Sequence, residues 1–213
     1  MSEWFNGGGT KRSPSFMFTH SGGVDLLDFT SRDVDFDDIA HALSMQCRFN
    51  GHLKQFYSVA QHCVAVSELL EARGEPVEVQ FAGLLHDAGE AYTGDITVPV
   101  QRAAGVEAVK ALEEDILAAV LLKAFEGTEY VGPCGCCDEL CARLTPEQWA
   151  EIHRADKDRG RVEIRDQIAD SQGMVDFSDL KEMDMVVWCA SPQDAASMWL
   201  RRFRKLKECL GVQ

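Results

Sequence analysis

Phe81-Ala82-Gly83-Leu84-Leu85-His86-Asp87-Ala88-Gly89-Glu90 is the stretch on which the reading of this chain turns. An apolar helical run delivers a histidine, an adjacent aspartate and, one turn on, a glutamate. Three groups able to bind a metal or carry protons therefore leave a buried helix together. Burying imidazole and carboxylate unpaired is unfavourable, and both are ligands for divalent ions, so the stretch predicts a metal. Pro76 suits a first helical turn, and the helix it opens is expected to run to about Ala91. On such a helix Glu90 lies four residues from His86 and three from Asp87 and shares a face with both. His86 and Asp87 themselves point about 100° apart. They meet at one ion if it sits over the edge between them and another helix closes the shell.

The 213 residues, 46% of them hydrophobic, suffice for one domain with a good core. A formal charge of -14 argues against a general nucleic-acid surface, which needs a basic stripe to displace counterions. Small phosphorylated substrates stay open, because a metal ion and one or two local arginines can hold a phosphate inside an acidic protein. No stretch approaches the roughly 20 apolar residues of a membrane span. Met1-Ser2-Glu3-Trp4 lacks a signal-peptide core. The expectation is a cytoplasmic protein that contacts no membrane, with its eight cysteines reduced.

Residues 1–33, rich in Gly, Ser, Thr and Asp, read as an N-terminal arm with room for a short hairpin, and residues 34–213 as the core. Asp35 caps a helix carrying Ile39, Leu43 and His41, the last read as a packed or surface histidine. Arg48-Phe49-Asn50-Gly51-His52 follows at a helix end, where Gly51 permits a sharp turn; Arg48 and His52 either grip a phosphate or are structural. Ser58-Val59-Ala60-Gln61 has the spacing of a capping box and opens a helix with His62 in its first turn. His62 alone is either a satisfied histidine or a ligand. Tyr92-Thr93-Gly94-Asp95 breaks the chain after the opening stretch, leaving Asp95 either solvated or part of the site. The helix from Val106 to Ala124 is expected to turn Glu113-Glu114-Asp115 to water.

An insertion at about 131–143 holds Cys134, Cys136, Cys137 and Cys141. Four thiols in eight residues can bind zinc, but the usual knuckle needs a second Cys-x-x-Cys pair and none follows, so a mobile reduced loop is favoured. Thr145-Pro146-Glu147-Gln148 caps a later helix whose Asp156, in register with Ile152, faces inward and needs a partner, either a metal or Arg159 or Arg165. Ser191 starts a last amphipathic helix. With neither strand runs nor heptads, the fold class is all-α, a compact helical bundle.

A histidine on one helix, a His-Asp pair on the next and an aspartate far downstream resemble the HD-domain metal-dependent phosphohydrolases over most of residues 35–210. Among these, Arg48–His52, Tyr57–His62, His86–Glu90 with Thr93–Asp95, and Ala155-Asp156 followed by Glu163 are most similar to bacterial 5'-deoxynucleotidases and to phage or prophage HD phosphohydrolases. The resemblance implies one divalent ion, Mn, Co, Mg, Fe or Zn, held by His62, His86, Asp87 and Asp156. It implies Glu90 as general acid or base with Asp95 behind it, and Arg48 and His52 as substrate contacts. Glu163 is expected to support the helix bearing Asp156.

The implied reaction is hydrolysis of a deoxynucleoside monophosphate by a metal-bound water, with a deoxynucleoside triphosphate triphosphohydrolase or a non-catalytic nucleotide sensor as alternatives. Lys54 and Arg102 are the candidates for the extra positive charge that a triphosphate needs. Between Asp87 and Asp156 only His153 is available as a further histidine, so a two-metal phosphodiesterase site is disfavoured. The resemblance also implies a homo-oligomer, a dimer or larger, since related enzymes often form dimers or rings.

Overall fold

The computed structural model describes residues 12–133, 140–142, 144–168, 177, 180 and 187–211. Strands β1 (Phe16–Phe18) and β2 (Gly23–Asp25) form an antiparallel hairpin. Then come helices α1 (Phe36–Met45), α2 (Val59–Ala72), α3 (Val77–Leu85), α4 (Glu90–Thr93), α5 (Val98–Ala104) and α6 (Glu107–Ala124). A second two-stranded ladder, β3 (Val131–Pro133) with β4 (Leu140–Ala142), precedes α7 (Pro146–Gln167) and α8 (Pro192–Cys209). The fold is an all-α bundle with two small hairpins. Cys134, Cys136 and Cys137 of the cysteine-rich insertion lie outside the described residues.

Helix α2 is buried almost all round, with Val59, Ala60, Cys63, Val64, Val66, Leu69 and Leu70 inside, which places it at the centre of the bundle. It touches α1, α3, α7 and α8. Gly83 lets α3 lie close against it, since a Cβ there would meet Leu70 Cδ1 at 2.3 Å. At the far end, Phe36, Phe81, Phe125, Trp199 and Phe203 pack ring to ring and tie α8 across α1 and α3.

The expected caps form. Asp35 accepts from the N–H groups of Asp37 and Asp38, and Ser58 with Gln61 and Thr145 with Gln148 close reciprocal boxes. Two expectations need correction. The helix from Pro76 does not continue to Ala91: α3 ends at Leu85, and the turn through Gly89 is built from i to i−3 bonds, Ala88 N–H to Leu85 C=O and Glu90 N–H to Asp87 C=O. Glu113 does not turn to water; it is half-buried against α4, where Thr93 Oγ1 lies 3.5 Å from its Oε2.

Candidate metal centre

Three elements of different sequence origin meet in one place. The capping box of Ser58 and Gln61 sets the start of α2 and leaves His62, fully buried, in its first turn. The tight turn after α3 presents His86 and Asp87. On α7, inward positions recur at Ile152, Ala155, Arg159, Val162 and Glu163, so the face turned to the core is itself partly charged. Asp156 stands at its edge and is partly exposed.

Each imidazole has one nitrogen committed. His86 Nδ1 donates to the Gly83 carbonyl at 2.8 Å, and His62 Nδ1 pairs with the buried Glu163 carboxylate at 2.8 Å. Both Nε2 atoms are thereby aimed at the common centre, the arrangement that orients a metal-ligating histidine. His62 Nε2 lies 3.0 Å from Asp156 Oδ1 and 3.8 Å from Asp87 Oδ2. His86 Nε2 lies 3.2 Å from Asp87 Oδ1 and 3.9 Å from Asp156 Oδ1, yet it is buried and aligned with no hydrogen-bond partner. A buried ligand atom left orphaned among carboxylates fits a cation. His62, His86 and Asp87 bring their ligand atoms within 4.8 Å of one another, and Asp156 adds the fourth group. Two imidazoles and two carboxylates suit several divalent ions and select none.

Charge in the site is balanced internally. Burial pulls the His86 imidazole down, and the Asp87 and Asp156 carboxylates outweigh it and raise the group well above its ordinary value. Burial works against Asp156 ionising, but the hydrogen bond with His62 Nε2 and the nearby His86 imidazole hold it far below the carboxylate range. Glu90 has no such partner: burial, with Asp87 and Asp95 beside it, pushes its carboxyl up to about 10, and its Oε2 is buried without a hydrogen bond.

Arg48 enters from a loop closed by the Cys47–Ser58 bridge and by its own N–H to the Tyr57 carbonyl. Phe49, Asn50 and Gly51 then run at φ of 54°, 52° and 78°. Left-handed backbone costs roughly 1–2 kcal/mol at a residue with a Cβ, so this is a strained turn placed at the site. The Arg48 guanidinium lies 3.4 Å from Glu163 Oε2 and 3.6 Å from Asp87 Oδ2. Burial disfavours its charge, and Glu163 and Asp87 overcome that and raise its pKa.

A cleft of about 610 Å³ opens here, lined at one side by Arg48, Asp87, Glu90, Asp95 and Asp156 and elsewhere by Phe49, Ile96, Val98, Pro99, Ile164 and Ile168. His52 also lines it. Lys54 and Arg102 do not; Lys54 Nζ donates to the Asp166 carbonyl. Arg159 and Arg165 are not partners of Asp156: Arg159 lies against Glu163 and donates to Tyr57, and Arg165 pairs with Asp166. Glu163 does more than support a helix, since it joins His62, Arg48 and Arg159. Gln46 carried no signal in the sequence, yet it bonds to both ends of the Glu90–Asp95 segment.

Two bacterial proteins are similar in sequence. The uncharacterized protein YfdR of Escherichia coli K12 is 44% identical over 107 residues, which are 50% of this chain and 56% of that protein. An uncharacterized protein of Rhodobacter capsulatus is 39% identical over 147 residues, 64% of this chain and 73% of the relative. The chain thus spans little more than half of the first relative and about three quarters of the second. No helix among the described residues is long and apolar enough to cross a membrane. The family described as HD domain matches residues 59–169, more than half of the chain, and takes in His62, His86, Asp87 and Asp156; it supports a metal-dependent phosphohydrolase. This chain belongs to the HD domain family.

Proposed function

We propose that the protein is a metal-dependent 5'-nucleotidase of deoxynucleoside monophosphates. The observation that carries this is the charge of the cleft: among the described residues one guanidinium, Arg48, stands with four carboxyl groups, and Lys54 and Arg102 lie outside. One phosphate suits that inventory. A triphosphate brings roughly four negative charges into a site where, among the described residues, His52 is the further basic side chain to meet them. The apolar remainder of the wall, Phe49, Ile96, Val98, Pro99, Ile164 and Ile168, matches a sugar and a base. Deoxynucleotides are named because Arg48–His52, Tyr57–His62 and His86–Asp95 resemble the corresponding strings of 5'-deoxynucleotidases.

His62, His86, Asp87 and Asp156 would hold the ion. When bound, a divalent ion acidifies water and draws charge from phosphorus. Arg48 orients the phosphate through charge-assisted bonds, worth about 1.5–3 kcal/mol. Burial and the neighbouring Asp87 and Asp95 carboxylates favour the protonated form of Glu90, which is placed to give a proton to the departing sugar oxygen, and Asp95 stands beside it as the second candidate. His52 is a further substrate contact.

The test is incubation with deoxynucleoside mono- and triphosphates in the presence of Mn²⁺ or Co²⁺, with the product identified. Inorganic phosphate from monophosphates is expected. Tripolyphosphate from triphosphates would replace this reading with that of a triphosphohydrolase. Nucleotide binding without turnover would replace it with that of a sensor.

A further inference from the structure

We infer that Gln46 is the positioning residue that fixes the Glu90–Asp95 segment against the metal ligands. It rests on the reading of Glu90 and Asp95 as the proton-handling side of the site.

Gln46 terminates α1 in extended conformation, so its backbone has left the helix and its side chain is free to cross to α4. There the amide Nε2 donates to the Glu90 carbonyl at 2.9 Å, and Oε1 accepts from the Asp95 N–H at 3.0 Å. The two bonds straddle α4, one at its first residue and one just past its end. Helix α4 is only four residues long and has no side-chain cap. A helix this short does not hold its own position in water. It is otherwise held by backbone bonds of the turn, Tyr92 and Thr93 N–H to the Gly89 carbonyl and Gly94 N–H to the Glu90 carbonyl, by packing on α1 and of Tyr92 on Phe29, and by the approach of Glu113, none of which reaches Asp95. Gly94 follows at φ 84°, a swivel where the backbone changes direction. Gln46 spans that swivel and ties Asp95 to the same amide that ties Glu90.

The backbone of Gln46 holds a third piece. Its carbonyl accepts from the Val59 N–H at 3.1 Å, at the start of the helix that carries His62. One residue thus joins the ligand-bearing end of α2 to the Glu90–Asp95 segment, and its side chain is the part that can be changed without breaking the first of these links. A primary amide offers a donor and an acceptor on two adjacent atoms at one reach, which is what the Glu90 carbonyl and the Asp95 N–H require. Glutamate keeps the acceptor for Asp95 and sets a carboxylate against the Glu90 carbonyl.

The experiment compares wild type, Gln46→Ala and Gln46→Glu by amide hydrogen exchange over residues 90–97, Mn²⁺ binding by titration calorimetry, and steady-state kinetics on a deoxynucleoside monophosphate. In Gln46→Ala the Asp95 amide is expected to lose protection while α2 keeps it. Its kcat is expected to fall about 10- to 100-fold, the range seen on loss of an outer partner of a site, with KM and Mn²⁺ affinity unchanged. Gln46→Glu is expected to regain protection at Asp95 without regaining kcat. Unchanged protection at Asp95, an unchanged kcat, or a parallel fall in Mn²⁺ affinity and melting temperature would each overturn the inference. Should wild type hydrolyse no deoxynucleotide, the function proposed above fails, and the exchange data alone then decide whether Gln46 fixes the segment.

Discussion

Arg202, buried in the bundle, and Arg48, drawn most of the way into it, are held in opposite ways. Arg202, on α8, donates from Nε to Ser67 Oγ at 3.0 Å, from Nη2 to the Ser67 carbonyl and to Gln80 Oε1, each at 3.1 Å, and from Nη1 to Glu71. The acceptors are themselves anchored, Ser67 Oγ donating to the Gln80 carbonyl and Gln80 Nε2 to the Glu75 carbonyl. Arg48 has only long contacts to Glu163 and Asp87, and around it His86 Nε2 and Glu90 Oε2 are buried without partners. A saturated network holds the structure it is in. An unsaturated one that opens on a cleft is arranged for something that arrives, which is why the Arg48 side is read as the site and the Arg202 side as a clamp.

The largest effects fall where the unsaturated network is cut. Asp87→Ala is expected to abolish divalent-ion binding and turnover together, both read in one titration and assay, because it removes a ligand within reach of both Nε2 atoms. Glu90→Ala should keep the ion and lower kcat by about 10²- to 10⁴-fold, the usual contribution of a positioned acid or base. Retained turnover in that variant would remove Glu90 from the chemistry and pass its role to Asp95. On the clamp side, Arg202→Ala strands the oxygens of Ser67 and Gln80. Denaturant unfolding should show a loss of roughly 2–4 kcal/mol with unchanged Mn²⁺ affinity, less than a wholly buried pair gives because Glu71 is about half exposed.

The two sides were not equally legible in the sequence. His86 and Asp87 stood out as a charged pair at the end of the apolar Phe81–Leu85 run, whereas His62 in its first turn and Asp156 in register with Ile152 each admitted a second reading when taken alone. Their convergence was legible only through the resemblance. The partners that tune them were not, because Glu163 meets His62 across 101 positions of chain and a glutamine after α1 looks like any surface residue. The break after Leu85 was missed for a similar reason. Gly89 is needed because a Cβ there would lie 2.7 Å from the Glu113 carbonyl oxygen, a tertiary approach that no local pattern records. The same approach explains why Glu113 faces inward. Arg202, in an amphipathic helix otherwise read by its apolar stripe, gave no sign of being buried.

Arg48→Ala carries the comparison to its finest point, because it deletes the same side chain as Arg202→Ala from a place that is less deeply buried and opens on the cleft. Its contacts are long, and Glu163 retains His62 and Arg159 when it goes, so the fold loses less than it does at Arg202. What is lost is the one guanidinium that faces the cleft among the described residues. KM for a deoxynucleoside monophosphate should rise about 10- to 100-fold, the equivalent of a charge-assisted contact of about 1.5–3 kcal/mol. The melting temperature, taken with saturating Mn²⁺, should move less than that of Arg202→Ala. Arg48→Lys should recover part of the affinity, since an ammonium keeps the charge and lacks the planar fork. If Arg48→Ala left KM unchanged and destabilised the protein as much as Arg202→Ala does, both arginines would be clamps. The phosphate would then have to be held by His52 and the ion without a guanidinium.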